Sequence, residues 1–324
     1  MERRDFLNKS IGLGLVPNTA LIRQKVNMTD EVVIERPQPG KPHKGKVLAA
    51  IQPHSDDISI FAAGTIAKLI KEGYTGYMIR TSNDDHAGRG NTVGEVIKNN
   101  ESDNLAVAKA LGLKKVYDLN YRNHRMDNVS IQEIRARLIF LFRLLKVDTI
   151  VTYDPWGHYE ENPDHYVTAR AVEAARWMAG GGRDYPEHFE AGLSPHSVRE
   201  RYYFARGPQL VNRVVDIGDT IEKKIDANLA NVTQGPAGEA GARLRKKLAS
   251  EGKYLPLLEG DEETANRNYI KHFVLDIDSV SQRGVPSDRE VGMAYGLKWA
   301  ERFHYINVES SQISDYIDKH AKRR

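Results

Sequence analysis

The chain of 324 residues contains no cysteine. That excludes a disulfide scaffold, a thiolate zinc finger, an iron–sulfur cluster and a cysteine nucleophile, and it leaves the redox compartment open. An excess of one charge is also missing. Forty-seven basic residues against 44 acidic give a net charge of +3, so neither nucleic acid nor an anionic membrane is the expected partner. The one basic run, Arg243-Leu244-Arg245-Lys246-Lys247, fits the solvated face of a helix. Long apolar runs are absent too: nothing reaches the roughly 18 residues of a membrane helix. There is no internal repeat and no low-complexity tract. What is present, 40% hydrophobic and 28% charged residues, suits one large or two modest globular domains.

The first two dozen residues differ from the rest. Arg3-Arg4-Asp5-Phe6-Leu7 precedes the short apolar stretch Ile11-Gly12-Leu13-Gly14-Leu15-Val16-Pro17, the order of a bacterial export signal of twin-arginine type. Residues 1–26 are therefore expected to be an export signal and the protein to be periplasmic, with a cytoplasmic location as the alternative. Residues 27–45, which hold Pro37, Pro39, Gly40 and Pro42, read as an extended lead-in.

From Lys46 short apolar runs alternate with helical patterns. Strands are expected at 47–51, 76–81, 115–119 and 149–153. Helices are expected at 60–70, 93–111, 131–145 and from His165 to about Met178, and Arg199 to Asp216 reads as one or two more strands. This alternation predicts an α/β domain, Rossmann-like, with a mostly parallel sheet and helices on both faces, over 46–235. Residues 236–324 are expected to form a helical and loop extension packed on the same domain.

In open α/β sheets, ligands bind beyond the carboxyl ends of the strands, and two of those ends are loaded. After the first strand comes Pro53-His54-Ser55-Asp56-Asp57. After the fourth comes Asp154-Pro155-Trp156-Gly157-His158-Tyr159-Glu160-Glu161-Asn162-Pro163-Asp164-His165. Parallel strands put these ends on one edge, so the two clusters can meet. Two imidazoles and a carboxylate then match the three protein ligands of a catalytic zinc ion. Asp56, left free, can take a proton from water activated by that ion as it attacks a carbonyl carbon. Taken singly, paired aspartates at a strand end serve as helix caps, and a lone loop histidine carries no chemistry.

Pro53-His54-Ser55-Asp56-Asp57 resembles the His-Pro-Asp-Asp signature of the PIG-L/LmbE-like zinc-dependent de-N-acetylases, with Ser55 where that family usually has proline. Tyr153-Asp154-Pro155 through Asn162-Pro163-Asp164-His165 resembles its second signature, and Val215 to Ala227 resembles a strand and helix near the family domain's end. The resemblance covers about residues 46–235. It implies one zinc ion per chain held by His54, Asp57 and His165, with Asp56 as general base. It further implies Asp164 orienting a ligand from behind, Tyr159 closing over the substrate beside the oxyanion, and Asp127 binding sugar hydroxyls. Arg89, in the glycine loop after the second strand, could clamp a hydroxyl or phosphate.

The chief departure is Asn162, which stands where the family usually has a histidine that protonates the leaving amine or steadies the oxyanion. Asparagine can donate a hydrogen bond there but no proton, which leaves Asp56 or His158 as the proton donor. The resulting expectation is a hydrolase that removes an N-acyl group, most often acetyl, from an amino sugar or glycoside. Two alternatives stay open. One is a sugar- or nucleotide-binding protein of the same fold. The other is a phosphoesterase with a second metal on Asp84, Asp85 and His86.

Overall fold

The computed structural model describes residues 32–235, 238–277, 285–307 and 312–322. The expected export signal lies outside the described residues. Among the described residues eight strands form one sheet: β1 (Val33–Glu35), β2 (Val47–Gln52), β3 (Thr75–Ser82), β4 (Val116–Tyr121), β5 (Thr149–Tyr153), β6 (Glu200–Phe204), β7 (Arg213–Asp216) and β8 (Ala300–Asn307). Their order across the sheet is β1-β7-β8-β6-β5-β2-β3-β4. Every neighbouring pair is parallel except those of β8, which runs antiparallel to both β6 and β7.

Strand β2 explains its own run of apolar residues. Leu48 and Ala50 enter one core with Ile58, Ile66 and Ile225, whereas Ala49 and Ile51 enter another with Ile134, Leu138 and Val172. A strand covered on both faces must be apolar at every position. The first face carries α1 (Asp57–Phe61), α2 (Ala63–Lys71), α3 (Val93–Ala110) and, later in the chain, α7 (Ile221–Ala230). The second carries α4 (Ile131–Leu145) and α5 (Pro163–Ala179). A short α6 (Glu187–Glu190) precedes β6. After α7 come α8 (Ala240–Ser250), α9 (Glu262–Tyr269) continuing as a π-helix over Ile270–Ile277, α10 (Asp288–Ala294) and α11 (Gln312–His320). Among the described residues no helix is long and apolar enough to cross a membrane.

The expected α/β architecture is present, with three differences. The lead-in contributes β1, whose Val33, Ile34 and Glu35 pair with Arg213, Val214 and Val215. The segment after 235 contributes β8, which lies inside the sheet, so residues 236–324 supply part of the sheet as well as helices. A boundary at 235 therefore cuts through one sheet. The single helix expected over 60–70 is two, starting at Asp57 and broken at Ala62, whose φ of −142° is not helical. The cause comes from far along the chain. Glu301 of β8, fully buried, accepts hydrogen bonds from Gly64 N at 2.9 Å and Thr65 N at 2.8 Å. It therefore caps the start of α2 in place of a local residue. Lys224 Nζ meets the same carboxylate at 2.7 Å.

Removing that carboxylate would leave a buried ammonium and two helix amides with a partner lost. Glu301→Ala is expected to cost roughly 3 kcal/mol or more, read as a shift of the urea midpoint with an unchanged slope.

Candidate active site

The sheet order reverses between β2 and β5: from β2 the chain steps to β3 and β4, then returns to β5 on the other side. Such a switch point opens a crevice at the strand carboxyl ends, and both loaded loops leave from it. A cavity of about 200 Å³ lies there, lined among others by His54, Asp56, Asp57, Asn123, His124 and Tyr153. Asn162, His165, Arg206 and Gln234 complete its polar wall.

The turn after β2 is held by its own side chain, since His54 N donates to Asp57 Oδ2 at 2.8 Å. The other oxygen of Asp57 accepts from the Tyr153 hydroxyl at 2.7 Å. Tyr153 ends β5, and its ring stacks on that of His165 with centroids 4.2 Å apart. His165 stands in the first turn of α5, which begins at Pro163 behind an Asn162 cap. One ligand atom from each of His54, Asp57 and His165 lies within 4.8 Å of the others, the one such cluster among the described residues.

The outer ring nitrogens decide what the inner ones can do. His54 Nε2 is 3.1 Å from Asp164 Oδ2. His165 Nδ1 lies 3.2 Å from Glu160 Oε2, near enough for charge attraction although poorly aligned for a hydrogen bond. Carboxylates behind metal-ligating histidines fix the tautomer in this way. With protons on the outer nitrogens, His54 Nδ1 and His165 Nε2 face each other at 3.0 Å as two lone pairs, and something positive must sit between them. Burial opposes the charge on His54, but Asp164 and Asp57 outweigh it and hold the imidazole well above its usual range. Burial also opposes the charge on Asp57, yet His165, His54 and Tyr153 bring it down to about 2. An anionic oxygen and two converging imidazoles fit a small divalent cation with ligand bonds of about 2.0–2.2 Å.

Asp56 is next to these ligands and points elsewhere. Its carboxyl is pushed up to about 7, first by burial and then by the charge of Asp57; a cation alongside opposes that rise. The side chain rests against Gly235, whose φ of +74° is left-handed. A Cβ there would lie 2.7 Å from Asp56 Oδ2. Gln234 Nε2 donates to Ser55 Oγ and Asn100 Oδ1, each at 2.8 Å, so the 231–235 loop is tied to the turn that carries Asp56.

The other expected site residues divide. Asp164, fully buried, lies behind His54 and also accepts from His124 N at 2.7 Å and Met126 N at 3.2 Å. The α5 cap is Asn162, whose Oδ1 accepts from Asp164 N at 3.0 Å while the residue also lines the cavity. Tyr159, 79% exposed with a φ of +60°, and His158, exposed in the same loop, are not among the residues lining the cavity. Arg89 is paired with Glu239 at 2.7 Å, away from the cavity wall. Asp127 is exposed in a single turn over Met126–Asn128. Asp84 and Asp85, offered to a second metal, are instead held by Arg80 at 2.9 Å and Arg122 at 2.8 Å.

Four groups at or behind the cavity carry no role in the sequence reading. Glu160, in the second loaded loop, lies behind His165. Arg206, just beyond β6, pairs with Glu160 at 2.8 Å. Asn123 and His124 follow β4. The strand-end rule points to all four. Gly235 had no signal at all. The amide nitrogen and oxygen of Asn123 and Nε of Arg206 are buried without a protein partner, and both residues line the cavity.

The fold and the site together define an α/β protein with, at its switch point, a His-Asp-His cluster fit to hold a metal ion. The model of the PIG-L family, GlcNAc-PI de-N-acetylase, matches residues 49–176. Diacetylchitobiose deacetylase of Thermococcus kodakarensis is 30% identical over 200 residues, 59% of this chain and 71% of that protein. A Mycobacterium 1D-myo-inositol 2-acetamido-2-deoxy-alpha-D-glucopyranoside deacetylase is 26% identical over 245 residues, 60% of this chain and 77% of that one. This chain belongs to the PIG-L family of de-N-acetylases. Among solved structures, N,N'-diacetylchitobiose deacetylase from Pyrococcus horikoshii shares the fold with a TM-score of 0.59 at 21% identity, over 84% of this chain and 89% of that one. A 4-carboxy-2-hydroxymuconate hydratase from Pseudomonas putida shares it with a TM-score of 0.53 at 18% identity, over 82% and 98%. The fold alone thus does not fix the reaction.

Asp164→Asn keeps the shape and removes the charge behind His54. Metal affinity is expected to fall about 10- to 100-fold, measured by competition with a chromophoric chelator. Gly235→Ala should leave metal affinity near that of the parent while turnover falls about tenfold or more, because the methyl displaces the Asp56 carboxyl. Steady-state kinetics beside metal analysis separates the two effects.

Proposed function

We propose that this protein is a zinc-dependent hydrolase that removes an acetyl group from the nitrogen of an amino sugar or its glycoside. The observation that carries the reading is the pair of imidazole nitrogens converging at 3.0 Å beside Asp57, each backed by a carboxylate, with Asp56 free at the same cavity. The substrate class is supported by the two relatives, both deacetylases of N-acetylated sugars by name.

His54, Asp57 and His165 would hold the ion, and its two nitrogen donors with one oxygen suit zinc. When bound, the ion supplies Lewis acidity, which polarises the amide carbonyl and makes water acidic enough to be deprotonated near neutral pH. The chain's own groups do the rest. Asp56 accepts the proton from the attacking water. Oδ1 of Asn162 is engaged by the α5 cap, which leaves its NH2 as the group that can donate to the oxyanion. The leaving amine needs a proton that asparagine cannot give. Asp56 can return the one it took. His124 is the imidazole on the cavity wall besides the two ligands, and it replaces His158 as the second candidate donor. Asn123 and Arg206 present buried, unpaired polar atoms to the sugar, where a matching hydroxyl gains more than it would in water.

The purified protein is expected to contain one zinc ion per chain and to release acetate from an N-acetylglucosamine disaccharide. Chelation should abolish turnover, and added zinc restore it. His54→Ala should lose both metal and activity, and Asp56→Asn should retain metal while kcat falls about 10²- to 10⁴-fold. Two metals per chain, or full activity in either variant, would overturn the assignment.

A further inference from the structure

The chain has three tryptophans. Trp299 is buried, only 4% exposed, whereas Trp156 and Trp177 are 53% and 73% exposed. An indole left in water forgoes a large burial gain, and exposed aromatics gathered in one place mark a binding surface. These two are gathered: both line a single groove of about 500 Å³, together with Pro155, Arg170, Glu173 and Arg176. The groove runs between the loop after β5 and the second half of α5.

The groove's parts are held in place. The Trp156 ring stands edge-on to Tyr203, with centroids 5.9 Å apart at 84°, and packs against His304 at 5.7 Å. Glu173 accepts from the Tyr203 hydroxyl and from Arg176, and Arg201 lies 3.8 Å from its carboxylate. Two flat apolar faces thus flank a fixed set of charged donors and acceptors. The signs are mixed, so the groove does not offer the one-signed field that phosphates or nucleic acid require.

We propose that this groove is a second carbohydrate subsite, which binds a pyranose of the same glycan chain whose amino sugar enters the metal cavity. A pyranose presents an apolar C–H face that lies flat on an indole and a rim of hydroxyls that pairs with carboxylate and guanidinium groups. Continuity favours the same chain as occupant. The loop that carries Trp156 also carries Asn162 of the cavity, and α5 carries both His165 and Trp177. Trp177 lies twelve residues beyond His165, about 18 Å along the helix axis. The groove therefore meets a sugar several units from the reacting one, and the protein favours oligomers over short substrates. This inference rests on the amino-sugar reading of the cavity.

The test compares acetate release by the full zinc-loaded chain from the N-acetylglucosamine dimer and tetramer. In Trp177→Ala, the ratio of kcat/KM for the tetramer to that for the dimer is expected to fall about fivefold to tenfold. An unchanged ratio overturns the subsite while leaving the deacetylase reading intact. If the parent releases acetate from neither oligomer, the amino-sugar reading of the cavity fails, and the groove is tested alone by tryptophan emission. A shift on adding the tetramer that is lost in Trp177→Ala supports the subsite; no shift overturns it. Concentration-dependent self-association that disappears in Trp177→Ala would assign the groove to a second copy of the chain and overturn the proposal as well.

Discussion

The carboxylate of Asp164 is the point on which this edge of the sheet depends. It belongs to the first turn of α5 and is fully buried, so each of its oxygens needs a partner. One is shared by His54 Nε2 and the backbone of His124; the other takes the backbone of Met126. A single side chain thereby joins three segments that are distant in sequence: the turn after β2, the loop after β4 and the start of α5. The charge stays on the carboxylate because these partners outweigh the cost of burial and hold its pKa below the usual range. His54 is fixed in orientation by the same bond, with Nδ1 turned inward. The N-terminal end of α5 adds a favourable field for the anion.

From that anchor the asymmetry between neighbouring carboxylates follows. Asp57 faces two imidazoles and a phenol hydroxyl and is held as an anion, whereas Asp56 faces Gly235 and the cavity and is pushed up. Adjacent residues of one type are thus held in opposite protonation ranges by environment alone, the usual way one site can obtain two roles from two acids. Glu160 stands behind the other imidazole, 3.2 Å from His165 Nδ1, without the aligned hydrogen bond that Asp164 makes to His54. It is kept anionic against burial by His165 and Arg206, so each of the two clustered histidines has a carboxylate from the same β5–α5 stretch behind it.

What the sequence disclosed follows the range of the interactions involved. His54 and Asp57 were legible because they follow directly on the end of β2, and His165 because it opens the helix that follows β5; a parallel sheet sends all such ends to one edge. Strands buried on both faces announced themselves by unbroken apolar runs. Illegible were the features set by contacts between distant segments. The break at Ala62 comes from Glu301, more than two hundred residues away. Strand β8, with Arg302, His304 and Asn307 among its eight residues, carries too many polar groups to look like an inner strand; distant partners answer some of them, Lys224 for Glu301 and Asp154 for His304. Asn162 stands where the resembled signature usually has histidine, and its place as the cap of α5 shows a second constraint on that position. Tyr159 and Arg89 carried signals of residue type and loop position, and these do not say which way a loop folds.

The cap at Asn162 bears on how the site does without an imidazole there. A histidine at this position offers a proton and a ring; asparagine offers an amide that must serve the helix through Oδ1, which turns its NH2 away from the cap. The oxyanion half of the role can therefore survive, while the proton-donating half must move. Two groups on the cavity wall can take it. In the proposed reaction Asp56 needs no rearrangement, because the proton it would accept in the first half is the one the amine would require in the second. His124 has been brought to the wall by an uncommon backbone, a non-glycine residue at φ +58°. The bond from its backbone N to Asp164 holds that conformation. A strained residue kept by the anchor of the whole site fits a side chain placed for use, and it lines the same cavity as Asn162.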